Sequence, residues 1–119
     1  MTVFTQGYQT GEFIVSEAAG MRSRDAITAT VAGAVALPSG TVLGKITATG
    51  KYIKQVDAAT DGSQVAAAIL YTPLPGVNGD TKCAVLNTDC EVIGAVLNGG
   101  AGPSATAKAA LLTLGIKVR

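Results

Sequence analysis

The chain has 119 residues, of which nine are basic, eight are acidic and none is histidine. This length favours a single domain, and the lack of histidine excludes Ser-His-Asp and Cys-His catalysis and most zinc sites. A formal charge of +1 without a long basic run argues against nucleic acid as a partner. Because only 14% of the residues are charged and the mean hydropathy is +0.39, we expect an oligomer or another partner to cover part of the surface.

The first eleven residues are predicted to form a flexible N-terminal arm. Residues 2–10 contain only three sizeable apolar side chains, Val3, Phe4 and Tyr8, and these are too few to offset the entropy lost in ordering the backbone. A frayed terminus and an arm that orders against a partner both fit this composition. Residues 12–119 are predicted to form one β-rich domain.

Two strands are predicted after the arm, over residues 12–17 and 25–31, because apolar and polar side chains alternate there. Residues 37–40 have proline second and glycine fourth, which predicts a type I turn. The apolar stretch 26–37 is too short for a bilayer span, which needs about 20 residues. The N-terminus lacks the pattern of a secretory signal, so we expect synthesis in the cytoplasm and no membrane partner.

The central part of the chain predicts three consecutive strands. Residues 41–47 are rich in β-branched side chains, and a glycine-containing connection, 48–50, leads to a return strand over residues 51–56. After a polar turn, residues 65–71 form an unbroken apolar run, which is typical of a strand buried on both faces. We predict that these strands pair in chain order as a meander.

The proline-rich and glycine-rich residues 72–80 are predicted to form a loop. Strands over residues 81–86 and 90–97 follow, and their spacing predicts a hairpin. Cys83 and Cys90 would lie about two positions out of register across that hairpin, which would strain a disulfide. We therefore expect two reduced thiols in the core.

The C-terminal part predicts one short helix and a last strand. Ser104 is a plausible N-cap for a helix over residues 105–114, and Gly115 is placed to end it. A short strand over residues 116–118 completes the chain. The predicted fold is therefore mainly β, with a small sheet-like or barrel-like body, one short C-terminal helix and a flexible N-terminal arm.

Few residues in this sequence suggest catalysis or covalent modification. Lys51 stands near a hairpin tip, as the modified lysine of lipoyl and biotinyl carrier domains does, although its neighbours Gly50 and Tyr52 differ from the usual ones. Asp89 and Glu91 share one strand face, but beside a turn they are interpreted as solvated charges. We predict no catalytic residue, no cofactor and no metal, and keep a small carrier or ligand-binding module as the alternative function.

Several short motifs carry a family resemblance by their order and spacing. They are the segment 11–20 (GEFIVSEAAG), Ser23-Arg24, 37–44 (LPSGTVLG), 49–52 (TGKY), and Asp61-Gly62 followed by 66–71 (AAAILY). In this layout the chain resembles the head decoration protein D family of lambda-like tailed bacteriophages. The resemblance extends to residues 82–97 and 104–118 and so covers nearly the whole chain.

The resemblance implies a structural protein and no enzyme. It implies a homotrimer that binds the major capsid protein at the local threefold positions of the expanded head, on the outer surface of the virion. It also implies that these trimers stabilise the head against DNA pressure and that the N-terminal arm orders on the capsid. The candidate arm residues for filling capsid pockets are Val3, Phe4, Tyr8 and Phe13.

Overall fold

The computed structural model describes residues 10–17 and 23–119. These residues form a mainly β structure with one short α-helix, which confirms the predicted fold class. The elements are β1 (Ile14–Glu17), β2 (Arg24–Val31), β3 (Val42–Lys45), β4 (Tyr52–Lys54), β5 (Ala66–Leu70), β6 (Gly79–Leu86), β7 (Cys90–Val92), α1 (Ala105–Thr113) and β8 (Ile116–Val118). Within the two described ranges, no helix is long and apolar enough to cross a membrane.

Five strands close into a small barrel in the order β2-β4-β3-β5-β6. The longest pairing is antiparallel, between β2 and β6, and runs without a break from Arg24 opposite Leu86 to Val31 opposite Gly79. The remaining strands, β1, β7 and β8, form a separate three-stranded sheet with β7 in the middle. The body therefore consists of a barrel and a smaller sheet, with α1 packed against both β5 and β8.

The predicted meander of β3, β4 and β5 is wrong in one pairing. β5 pairs with β3, with Val42 opposite Ile69, while β4 occupies the other edge of β3 and continues to β2. The loop before β5 crosses β3 at Gly44, where an added Cβ would lie only 2.0 Å from the Ser63 carbonyl oxygen. Because glycine allows this close backbone approach, the chain can reach the far edge of β3.

The predicted hairpin of β6 and β7 is also wrong. Both edges of β6 are already occupied, one by β2 and the other by β5. The chain therefore leaves the barrel after β6 and places β7 between β1 and β8. Gly94, which lies within the predicted strand over residues 90–97, instead begins a kinked 3-10 segment, Gly94–Gly100.

Adjacent residues of β3, and likewise of β6, face two different hydrophobic cores. Val42 and Leu86 belong to the core between the barrel, the small sheet and α1, whereas their neighbours Leu43 and Val85 belong to the barrel interior. Successive strand side chains point to opposite faces, so a strand between two cores must be apolar throughout. This explains the unbroken apolar run of β5 and confirms that it is buried on both faces.

The turn before β3 is displaced by one residue from its predicted position. Leu37 pairs with Leu74 through two backbone hydrogen bonds, so the turn begins at Pro38, whose carbonyl accepts from the Thr41 N–H at 3.2 Å. Gly40 then occupies the third position with a φ of +93°. Type II turns require a positive φ at that position, which glycine adopts without strain.

The C-terminal predictions are confirmed closely. The Ser104 hydroxyl accepts a hydrogen bond from the Ala107 N–H at 3.1 Å and so caps the first turn of α1. The helix ends at Thr113, and Gly115 has the positive φ that is common just after a helix. Strand β8 follows directly and adds to β7 in parallel.

The two cysteine thiols are free and buried in different cores. Cys83 lies in the barrel interior and Cys90 in the core beside α1, so the thiols are not neighbours across a hairpin as the sequence argument assumed. Burial raises the pKa of the Cys83 thiol, and it raises the pKa of Cys90 to about 11. Both thiols are therefore protonated near neutral pH and act as small apolar core groups.

Candidate functional site

The start of the body is held firmly at Gly11. The N–H of Gly11 donates to the Ser39 hydroxyl at 3.1 Å, and its carbonyl accepts from the Ile14 N–H at the same distance. Phe13 is 0% exposed and contributes its ring to the core beside α1. Any segment that acts as an arm must therefore precede Gly11.

The structure places only one of the four predicted arm residues. Val3, Phe4 and Tyr8 lie outside the described ranges, so their role in partner binding stays a prediction, as does the division into arm and domain. Phe13, in contrast, is enclosed by the core, where an added Cβ on Gly40 would come within 3.3 Å of its ring. The hypothesis that Phe13 fills a pocket on a partner does not fit this position, because its side chain is already packed.

An arginine clamp ties β1 to the barrel. Arg24 donates two hydrogen bonds to the Glu17 carboxylate, at 2.9 and 3.0 Å, and its guanidinium lies 4.2 Å from the centre of the Tyr71 ring. The bidentate pair and the cation–π contact hold the end of β1 in a fixed position. The hydrogen bond from Arg24 also lowers the pKa of Glu17, so this carboxylate stays ionised.

The first strand, β1, begins at the same end of the small sheet at which the last strand, β8, ends. Ile14 at the start of β1 pairs with Val92, and Val92 pairs with Val118 at the end of β8. Arg119 follows, bonds through its backbone to Val92 and Gly94, and makes a bidentate ion pair with Glu91. The start of β1 and the end of β8 therefore lie at the same end of the small sheet, on opposite sides of β7.

A polar depression between β1 and β8 contains several carboxylates beside a cysteine. Glu17 and Glu91 line it together with Cys90. The hydrogen bond from Arg24 lowers the pKa of Glu17, the hydrogen bond from Arg119 lowers the pKa of Glu91, and burial raises the pKa of the Cys90 thiol. At neutral pH the two glutamates are therefore ionised and the thiol is protonated, so these three groups supply neither a general acid nor a thiolate nucleophile.

Lys51 is the residue on which the alternative function of a carrier domain depends, and its side chain is held by an ion pair on the barrel. Its ammonium group forms an ion pair with Asp80, and Asp80 also accepts a hydrogen bond from the Thr30 hydroxyl at 2.8 Å. These two donors lower the pKa of Asp80. A lysine that is modified at a hairpin tip must project freely, so this pairing does not favour the carrier function.

Exposed valines form the first apolar surface, at one end of the barrel. Val35 is 60% exposed and lies with Val56 beside a shallow cavity of about 360 Å³, whose lining also includes Leu37 and Ile53. Lys54 is the only charged residue in this lining. A surface of this kind is suited to protein–protein association.

A groove between α1 and β8 is the second apolar surface. It has a volume of about 370 Å³ and is lined by four α1 residues, with Leu112 65% exposed, and by two β8 residues. We name this the α1/β8 groove, and its lining residues are Ala105, Lys108, Ala109, Leu112, Lys117 and Val118. Within the described part of the chain, no group of three potential ligand side chains is placed to bind a metal.

Two of these features escaped the sequence analysis. The Arg24–Tyr71 contact joins residues far apart in the chain, and no local pattern indicates it. The sequence does contain an indication of the α1/β8 groove. Leu111 and Leu112 are adjacent, so their side chains point in different directions from the helix. In the structure Leu111 is buried in the core, and Leu112 remains exposed.

Comparison with known proteins gives one positive result. A sequence model of the family described as Bacteriophage lambda head decoration protein D matches residues 3–116, nearly the whole chain. The match includes residues 3–11 of the predicted arm, the barrel, α1 and the small sheet except for the last two residues of β8. No curated protein matches the chain.

Proposed function

The chain belongs to the bacteriophage lambda head decoration protein D family, and from this premise we propose that it is a non-enzymatic cementing protein of a phage head. In this proposal, homotrimers bind the major capsid protein at local threefold positions on the outer surface of the expanded head. The protein is made in the host cytoplasm and becomes part of the virion. The family match over residues 3–116 is the observation that carries the proposal.

Stabilisation of the head then requires no chemistry. A protein that binds only the expanded lattice shifts the equilibrium towards that lattice by mass action. The binding free energy must come from contact surfaces and from the segment before Gly11.

The arm is the proposed source of much of the affinity. Because Gly11 and Phe13 are fixed in the body, residues 1–10 are attached at a defined point, where the Gly11 N–H bonds to Ser39. Strand addition to the capsid would supply main-chain hydrogen bonds, and Val3, Phe4 and Tyr8 would supply apolar contacts. Three arms on one trimer bind the same threefold position, so a modest affinity for each arm becomes a strong total affinity.

We expect the protein to be a trimer in solution or on the capsid. The exposed valines beside Lys54 provide an apolar surface for self-association, and specific interfaces commonly bury about 800 Å² per partner. Light scattering at micromolar concentration should then give about three times the chain mass of 11.8 kDa. A monomer both in solution and on heads would contradict this prediction.

The decisive test of the function uses undecorated heads of the same phage. Purified protein is mixed with expanded and with unexpanded heads, and bound copies are counted by electron microscopy. We expect three copies at each local threefold position of expanded heads and little binding to unexpanded ones. Failure to bind expanded heads would refute the proposed function.

A further inference from the structure

The sequence contains the dipeptide Asn-Gly twice, at residues 78–79 and 98–99. Asparagine is chemically labile, and a following glycine increases the lability because a residue without a Cβ lets its backbone nitrogen approach the side-chain amide. Each copy also follows a branched apolar residue, Val77 or Leu97. The two copies are therefore matched in local sequence, and their surroundings in the fold decide which of them reacts.

Three hydrogen bonds hold Asn98 in place. Its side-chain oxygen accepts from the Val42 N–H at 2.9 Å, and its Nδ2 amide donates to the Gly102 carbonyl at 3.2 Å. Its backbone N–H donates to the Gly40 carbonyl at 3.1 Å. Attack by the Gly99 nitrogen would have to break both side-chain bonds and to rotate a backbone that the third bond fixes.

Asn78 is exposed and much less restrained. Its side-chain oxygen accepts from the Ala34 N–H at 2.6 Å, and no described residue accepts from its Nδ2 amide, the group that must leave. Gly79 has open space around it, since an added Cβ would meet no atom within 4 Å. Gly79 also forms the last pair of the β2–β6 ladder, opposite Val31, so freeing its nitrogen for attack disturbs only the end of a strand.

The same asparagine restrains a neighbouring loop, residues 32–36. Ala34 in this loop has a φ of +53°, in the left-handed region that is uncommon for a residue with a Cβ. The loop is packed tightly against the chain before Asn78, because an added Cβ on Gly76 would lie 2.6 Å from the Ala34 carbonyl oxygen. A change in the backbone at residue 78 therefore acts directly on this loop, which carries the exposed Val35.

We propose that Asn78-Gly79 is a site of spontaneous deamidation in the folded protein and that Asn98-Gly99 is protected from it. The Gly79 nitrogen loses its proton and attacks Cγ of Asn78, so that a C–N bond closes a cyclic succinimide. The Cγ–Nδ2 bond breaks, and the nitrogen leaves as ammonia with a proton returned by water.

Water completes the reaction without any other reactant. It opens the succinimide at either carbonyl and leaves aspartate or isoaspartate at position 78. A carboxylate replaces a neutral amide in both products, so the formal charge of +1 falls by one unit. In isoaspartate the main chain runs through the side-chain carbonyl, which adds a methylene before Gly79 and moves the acceptor away from the Ala34 N–H. The inference is independent of the proposed function.

Peptide mapping of the aged protein tests the site. The full chain is kept in mildly alkaline buffer, where the backbone nitrogen loses its proton more readily, and the exchange of amide nitrogen for oxygen is followed by mass spectrometry at both asparagines. We expect Asn78 to react at least about tenfold faster than Asn98, since breaking one additional ordinary hydrogen bond changes a rate by up to roughly tenfold. In a portion unfolded in urea, the two asparagines should react at similar rates.

The comparison of folded and unfolded protein decides the outcome. Fast reaction at Asn78 in the folded protein, together with similar rates in urea, supports the proposal. Equal rates at Asn78 and Asn98 in the folded protein would overturn it, as would reaction in urea alone or no reaction in either state. An unchanged preference for Asn78 in urea would show that the fold does not select the site and would also overturn it.

Two variants test the effect on the loop. Asn78→Gln keeps a side-chain amide but closes a ring poorly, so it should stay unmodified and serve as the reference. Asn78→Asp adds the charge without lengthening the main chain and keeps an acceptor for Ala34. We expect the Ala34 amide to exchange hydrogen at least about fivefold faster in the isolated isoaspartate form than in either variant, because its hydrogen bond is lost. Equal exchange in all three forms would refute the predicted release of the loop.

Discussion

Deletion of residues 2–10 is expected to leave a folded, correctly assembled protein that binds expanded heads at least about 100-fold more weakly. The two cores are built from residues between Phe13 and Ile116, and Gly11 keeps its hydrogen bond to Ser39, so the body retains its packing. The loss of affinity is large because three linked arms are removed at once, and such linkage typically contributes a factor of 10² to 10⁴.

Two measurements separate folding from binding for this deletion. Thermal melting of the truncated protein should stay close to that of the full chain, while sedimentation with expanded heads should leave it in the supernatant. A full-length control with Val3→Ser, Phe4→Ser and Tyr8→Ser keeps the backbone of the arm and shows whether its side chains are needed. Undiminished retention of the truncated protein would remove the arm from the mechanism, and a collapse of the melting temperature would assign it to the core.

Replacement of Phe13 by alanine is expected to lower the free energy of unfolding by about 3–5 kcal/mol, because it removes a fully buried ring. This is a large part of the roughly 5–15 kcal/mol by which such domains are stable. The ring belongs to the same core as Leu86, Val92 and Leu111, to which the barrel, the small sheet and α1 all contribute, so a cavity there would loosen all three. Urea unfolding should show a lower midpoint with a similar slope.

The matched control is Val15→Ala, two residues further along the chain in β1. Val15 is 47% exposed, so this change should alter the unfolding midpoint only slightly. Head binding is measured for both variants at a temperature where they are folded. If Phe13→Ala unfolds at the same urea concentration as the unmodified protein but loses head binding, Phe13 acts on the capsid, as the sequence had suggested, and its core assignment is wrong.

The sequence alone determined the local elements and the fold class. Alternation of apolar and polar side chains marked β2, a β-branched run marked β3, the apolar run of residues 65–71 marked β5, and the Ser104 cap and Gly115 bounded α1. These signals are local, since each depends on the conformational preferences of a few adjacent residues. They were sufficient for a mainly β body with one helix, and the order of the motifs was sufficient for the family.

Strand pairing was decided only by the tertiary structure. The turn at residues 87–89 is compatible with a hairpin, but β2 and β5 already occupy both edges of β6, so β7 joins β1 and β8. The crossing of β3 at Gly44 likewise depends on how closely the Ser63 carbonyl can approach. Edge occupancy and backbone contact involve residues distant in the chain, and no local preference encodes them.

The candidate functional regions were likewise predictable from the sequence only in part. The composition of residues 1–11 predicted an arm, because it follows from the number of apolar side chains available for burial. The burial of Phe13, the Arg24–Tyr71 contact and the α1/β8 groove arise where separate elements pack together. The sequence thus determined which segments form strands and helix, whereas tertiary packing decided which side chains remain exposed. The physical reason is that burial depends on contacts with residues distant in the chain, which form only on folding.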